Sequence, residues 1–94
     1  MNLGISIKKF RIKRGISQLE LVALCNTSQT YLSQIENNTR EPSLAMLNTI
    51  ASKLEVPLAI LIFHAFDEKD VKPNKRKMFH TLKPVLDELV YTLL

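Results

Sequence analysis

The stretch from Ser17 to Asn38, SQLELVALCNTSQTYLSQIENN, leaves its chain the fewest structural options. Its first four residues form a capping box. The Ser17 hydroxyl takes the amide of Glu20 while the Glu20 carboxylate returns to the amide of Ser17, so a helix starts here and runs to about Leu24. Thr27 is a good N-cap, and Leu32 and Ile35 then repeat at helical spacing, so another helix follows almost at once. Only Cys25 and Asn26 lie between the two. Two short helices joined by so short a turn meet at a steep angle.

The flanking sequence supplies more helices. Ile7, Phe10 and Ile12 give a partly periodic first segment, closed by Gly15, the residue best suited to the left-handed position after a helix end; helix 1 spans roughly residues 3 to 14. Pro42 and Ser43 mark a loop end and an N-cap, after which Leu44, Leu47, Ile50, Ala51 and Leu54 line up as the buried stripe of helix 4. Pro57 suits the first turn of helix 5, whose Leu58, Leu61 and Ile62 continue the core. No segment alternates like a strand, and no long repeat is present. The fold class is therefore all-α.

Composition limits where such a chain can work. With 94 residues, 46% of them hydrophobic, it must bury its apolar side chains compactly or share them with a partner. The run PLAILIF, Pro57 to Phe63, is far shorter than the roughly 20 apolar residues a membrane helix needs. The start, MNLGISIKKF, has no signal-peptide layout, so a cytoplasmic protein with no membrane partner is expected. Cys25 stands alone, which excludes an internal disulfide and a cysteine metal cluster and fits a reducing compartment.

The helix that begins near Ser28 has two unlike faces. On a wheel of about 100° per residue with Ser28 at zero, Leu32, Ile35 and Tyr31 fall at about 40°, 340° and 300° and form one apolar face. Gln29, Thr30, Ser33 and Gln34 fall at about 100°, 200°, 140° and 240° on the opposite face. Lys and Glu, the usual solvent-facing helix formers, are absent there. Glutamine can pair bidentately with adenine, and serine or threonine can donate, accept or touch a thymine methyl, so this face suits base edges. The charge lies elsewhere. Residues 1 to 42 hold six basic side chains (Lys8, Lys9, Arg11, Lys13, Arg14, Arg40) against three acidic ones, whereas residues 43 to 94 hold seven against six. A basic half beside a neutral polar helix points to a polyanion such as nucleic acid.

FRIKRGISQLEL, SQTYLSQIENNTREPSLAML and IASKLEVP occur in that order. From Ile7 to about Leu61 the chain thereby resembles the phage-repressor class of helix-turn-helix domains, the Cro- and lambda-repressor-like or xenobiotic-response-element-type family. The resemblance implies a five-helix domain over residues 1 to 64, with the helix-turn-helix at about 17 to 36 and a recognition helix at about Ser28 to Glu36 in the major groove of double-stranded DNA. It assigns base reading to Gln29, Thr30 and Gln34, with Ser33 and Ser28 beside them. It assigns phosphate contacts to Gln18, which also buttresses Gln29, and to Asn37, Asn38, Thr39 and Arg40. Arg11 and Glu36 match a partly buried structural ion pair. Three positions depart from the pattern: Asn26 and Asn38 stand where glycine is usual, and Val22 replaces an alanine. Asparagine tolerates positive φ, so both turns should still form.

Residues 65 to 94 lie beyond the resemblance. DEKDVKPNKRK reads as a charged linker, whose Lys72, Lys75, Arg76 and Lys77 could touch phosphates but more simply face water. Phe79, Leu82, Leu86, Leu89, Val90 and Leu93 then recur at helical spacing, and Pro84 should split the tail into two pieces, the second beginning near Pro84. So much apolar surface needs cover, either by folding back on helix 5 or, the favoured reading, by pairing with a second subunit. The dimerisation candidates are Leu58, Leu61, Ile62, Leu86, Leu89, Val90 and Leu93. His64 and His80 have no metal-ligand spacing, Cys25 reads as a small core residue, and no nucleophile, base and orienter set is present. No metal, cofactor or enzymatic activity is expected. Two functions follow: a homodimeric transcription regulator on a palindromic operator, or an antitoxin-like DNA-binding protein whose tail masks a protein partner.

Overall fold

Each of the first four helices starts on a short polar side chain that takes one of its free amides, which fixes where the chain turns helical. In the computed structural model, which describes residues 1–94, Asn2 accepts from the Ile5 amide at the head of α1 (Leu3–Lys13). Ser17 and Glu20 exchange bonds of 3.0 and 3.2 Å at the head of α2 (Gln18–Cys25). Ser28 accepts from Tyr31 at the head of α3 (Gln29–Glu36), and Ser43 accepts from Met46 at the head of α4 (Leu44–Lys53). The cap of α3 is therefore Ser28 and not Thr27. Helix α5 spans Leu58–Ala65, two 3-10 turns cover Glu68–Asp70 and Pro73–Lys75, and α6 spans Arg76–Leu93. The chain is all-α, and no single helix is long and apolar enough to cross a membrane.

The turns close in left-handed backbone at asparagine. Asn26 ends α2 at φ 55°, Asn38 follows α3 at φ 59°, and Gly15 follows α1 at φ 71°. Glu55, after α4, is also left-handed at φ 57°, a conformation that costs a residue of its type of order 1 kcal/mol. Arg14 holds that turn: its Nε donates to the Leu54 carbonyl (2.7 Å) and an Nη to the Glu55 carbonyl (2.9 Å).

One core joins the five helices of residues 1 to 65. Ile7 and Phe10 of α1, Leu21, Val22 and Cys25 of α2, Leu32 and Ile35 of α3, Leu47, Ile50, Ala51 and Leu54 of α4, then Val56 and Leu61 form a single buried cluster. Each large side chain in it contributes roughly 1.5–3 kcal/mol by leaving water. Two stripe residues do not join it: Ile12 is 57% and Leu44 68% exposed. Ile12 lies on the outer side of α1, and Leu44 opens α4 directly after its cap, where the first turn projects past the core.

The tail differs most from expectation. It is one helix that runs through Pro84. Pro84 is exposed, so the carbonyl four residues earlier, deprived of a backbone amide, can turn to water, and the rest of the helix continues. One face of α6 folds back: Tyr91 and Leu94 pack on the core cluster, and Tyr91 lies 6.0 Å from the Phe10 ring. Lys9 and Lys13 of α1 sit over the Tyr91 ring at 4.9 and 4.3 Å. The other face, with Leu82, Val85, Leu86, Leu89 and Leu93, is exposed.

Candidate nucleic-acid interface

Helices α2 and α3 form the corner, and only the chain of Asn26, Thr27 and Ser28 separates them. Leu32 and Ile35 are buried almost completely, which turns the opposite side of α3 outward. On that side Gln29, Thr30, Ser33, Gln34, Asn37 and Thr39 line one shallow, fully polar depression. None of these six side chains is charged. Ser28 is not among them; it is exposed and its hydroxyl accepts from the Tyr31 amide as the helix cap.

Behind this face runs a buried polar brace. Arg11 Nε donates to Glu36 Oε2 at 2.7 Å and its Nη2 to Glu36 Oε1 at 3.0 Å, a bidentate pair in which the Glu36 side chain is 2% exposed. A third guanidinium bond goes to the Ile16 carbonyl (2.9 Å), so Arg11 ties α1 both to the end of α3 and to the loop before α2. Removing either partner alone leaves an uncompensated buried charge, at a cost of about 3–5 kcal/mol. Gln18, half-buried at the head of α2, donates to Glu36 Oε1 (3.1 Å), and Gln29 Nε2 lies 3.5 Å from Gln18 Oε1.

The loop after α3 is built tightly on α1. Asn38 accepts from the Gly4 amide (3.1 Å) and donates one of its two amide protons to the Asn2 side chain (2.6 Å), so its side chain serves the fold. Thr39 donates to the Gln34 carbonyl, while Asn37 and Arg40 are exposed. Arg40 lies over the Tyr31 ring at 4.7 Å, which holds a cation at the edge of α3. Gly4 makes the seam possible: a Cβ there would sit 2.4 Å from the Ile35 carbonyl oxygen and 2.7 Å from that of Glu36.

The dimerisation candidates divide. Leu61 is fully buried in its own core and cannot face a partner. Leu58 packs against the same core, and Ile62 and Val90 are half-buried. Leu86, Leu89 and Leu93 are open. Sequence reasoning passed over three contributors: Gly4, Arg14 and the Tyr31–Arg40 pairing. A glycine inside a helical segment was a signal for the first; nothing local marks the other two.

A two-helix corner, braced from behind and presenting a neutral polar helix with Arg40 at its edge, defines a helical domain of the helix-turn-helix class. The comparisons agree. A family model described as helix-turn-helix matches residues 7–61, more than half of the chain. The chain belongs to this family, in its Cro- and lambda-repressor-like branch. It is 32% identical over 62 residues to the immunity repressor protein of Bacillus phage phi105, covering 66% of this chain and 43% of that protein. It is 33% identical over 69 residues to the HTH-type transcriptional regulator SinR of Bacillus licheniformis, covering 72% and 59%. It is 30% identical over 63 residues to the transcriptional regulator ClgR of Mycobacterium tuberculosis, covering 67% and 56%. The chain thus spans about half the length of these curated relatives.

Proposed function

We propose that the chain is a sequence-specific transcriptional regulator that binds double-stranded DNA, with α3 in the major groove. The observation that carries this reading is the outer face of α3, where uncharged amides and hydroxyls gather in one depression, with Arg40 held nearby over the Tyr31 ring. Gln29, Thr30, Ser33 and Gln34 read base edges; the exposed Asn37 and Arg40, with Thr39 between them in the loop, dock on phosphates. The relatives named as a repressor and as transcriptional regulators support the same reading. Residues 1 to 64 act as the DNA-binding unit. Gln29→Ala should change which sequence is preferred; an unchanged preference sinks the readout assignment.

The tail, residues 65 to 94, serves as a homodimer surface that sets two α3 helices on a palindromic site. Supporting this, the open residues Leu82, Leu86, Leu89 and Leu93 form a stripe along one side of α6. Leu89→Lys should leave the fold intact and shift sedimentation toward monomer. A wild-type monomer at micromolar concentration without DNA argues against pairing. An unlike protein that co-purifies with the parent but not with Leu89→Lys favours the antitoxin-like reading.

A further inference from the structure

The loop after α3 is anchored so that Arg40 reaches back over the helix it follows. The Gln34 carbonyl takes the Thr39 amide (2.9 Å), the Thr39 hydroxyl (3.1 Å) and the Arg40 amide (3.3 Å). Gln34 follows Tyr31 by three positions, so the Arg40 backbone starts one helical turn from that tyrosine on the same side of α3. The Tyr31 ring is half-buried and packs on the core, which limits its movement. The Arg40 guanidinium carbon lies over it, 4.7 Å from the ring centre. Arg11, Arg14 and Arg76 each donate guanidinium protons to a carboxylate or carbonyl of the fold. Arg40 instead rests on the ring, although Glu41 is its neighbour in sequence. A ring attracts a cation without taking up its hydrogen bonds to oxygen, so the charge and the fork of N–H donors stay available. We infer that Tyr31 is a positioning residue for DNA binding, holding the Arg40 guanidinium at the end of α3 so that its fork of donors meets a backbone phosphate.

The gain comes from order that exists before the encounter. An exposed arginine in a loop samples many rotamers, and a phosphate that captures it must freeze them. Against the ring Arg40 is already confined, so less ordering is left to binding. A planar guanidinium held this way can grip two phosphate oxygens at once, which a lysine ammonium cannot. The location suits the task. Arg40 follows Thr39, whose side chain lines the neutral depression together with Gln29, Thr30, Ser33 and Gln34, and backbone phosphates flank base edges that such a depression would meet. Tyr31 does not line that depression, so it acts through Arg40 and not on a base. This role rests on α3 lying in the major groove, and it adds a residue off the reading face that sets the strength of a backbone contact.

The test is a double-mutant cycle read by binding to two duplexes, the tightest sequence recovered from a random pool and an unrelated one. Tyr31→Leu should weaken binding to both by about fivefold, whereas Tyr31→Phe, which keeps the ring, should stay within about twofold of the parent. Base preferences should be unchanged in both variants. In an Arg40→Ala background Tyr31→Leu should cause no further loss, an outcome that a merely structural role for Tyr31 would not give. In the free protein, Arg40 side-chain proton resonances should be shifted upfield by the ring; Tyr31→Leu should abolish the shift and Tyr31→Phe should keep it. A Tyr31→Leu loss that persists undiminished in the Arg40→Ala background overturns the positioning role. A Tyr31→Phe variant as weak as Tyr31→Leu assigns the effect to the hydroxyl and overturns it too. A parent protein that binds neither duplex overturns the DNA-binding reading itself, and the upfield shift, measured without DNA, separates that failure from the absence of the Tyr31–Arg40 contact.

Discussion

Gly4→Ala separates the packing account from simple helix propensity, because the two predict opposite signs. Gly4 lies inside α1, where alanine normally stabilises by about 1 kcal/mol. Here the new Cβ would stand 2.4 and 2.7 Å from the carbonyl oxygens of Ile35 and Glu36 and 2.8 Å from Asn38 Oδ1. Ordinary contact is about 3.5 Å, so α1 must retreat from the end of α3 by about 1 Å. Two of the three atoms are backbone and cannot rotate away. Overpacking of this kind costs about 1–3 kcal/mol, and retreat also loosens the Gly4 to Asn38 hydrogen bond, worth about 1 kcal/mol. Set against the propensity gain, the net loss is about 2 kcal/mol, which lowers Tm by about 8–16 °C for a domain of this size. Thermal unfolding followed by circular dichroism measures it, with Gly15→Ala as the comparison. Gly15 has nothing within 4 Å of its missing Cβ, so only the left-handed backbone at φ 71° opposes that change. An unchanged or raised Tm for Gly4→Ala refutes the close approach of α1 to α3.

Other perturbations address other parts of the molecule. Arg40→Ala should weaken binding to all DNA sequences alike and reduce the slope of log affinity against log salt by about one, as titrations at several salt concentrations would show. Leu61→Ala should lower stability by about 2–5 kcal/mol in urea unfolding, whereas Leu89→Ala should stay within about 0.5 kcal/mol and reduce self-association. His64, 2% exposed at the seam between α5 and α6, has its pKa pushed below the ordinary 6.5 by burial, with Asp87 partly opposing. The unfolded chain therefore binds a proton at this site before the folded one does. Stability is intact above about pH 7, falls as pH drops through the unfolded value, and stops falling below the folded value. Urea midpoints at several pH values should show that decline, and His64→Gln should flatten it; a parental decline that persists in the variant rejects the assignment.

Local signals carried the framework because they act within a few residues. The Ser17–Glu20 capping box, the Ser43 cap and the asparagine turns are short-range devices, and the structure shows each. The two-faced character of α3 was legible because two apolar residues spaced for one side of a helix leave the other side defined. Thr27 was expected to cap α3 and Ser28 does, because both offer a hydroxyl and only the position of the Tyr31 amide tells them apart. Pro84 misled because a proline inside a helix removes one bond without ending an amphipathic run that has partners on both sides of it. Nonlocal contributions were out of reach: Arg14 bonds to residues forty positions away, and Gly4 matters only through the carbonyls at the far end of α3. Leu61 was read both as core and as a dimerisation candidate, and the packing of α5 against α1 settles it as core.

The central claim is that α3 reads base edges, and selection of bound sequences from a random duplex pool tests it most directly. At moderate salt the protein should enrich one short motif in two inverted copies, their centres about one helical turn apart. Each copy should contain an adenine whose enrichment disappears in Gln29→Ala. A pool that emerges unenriched, or a motif unaltered by Gln29→Ala, contradicts the account.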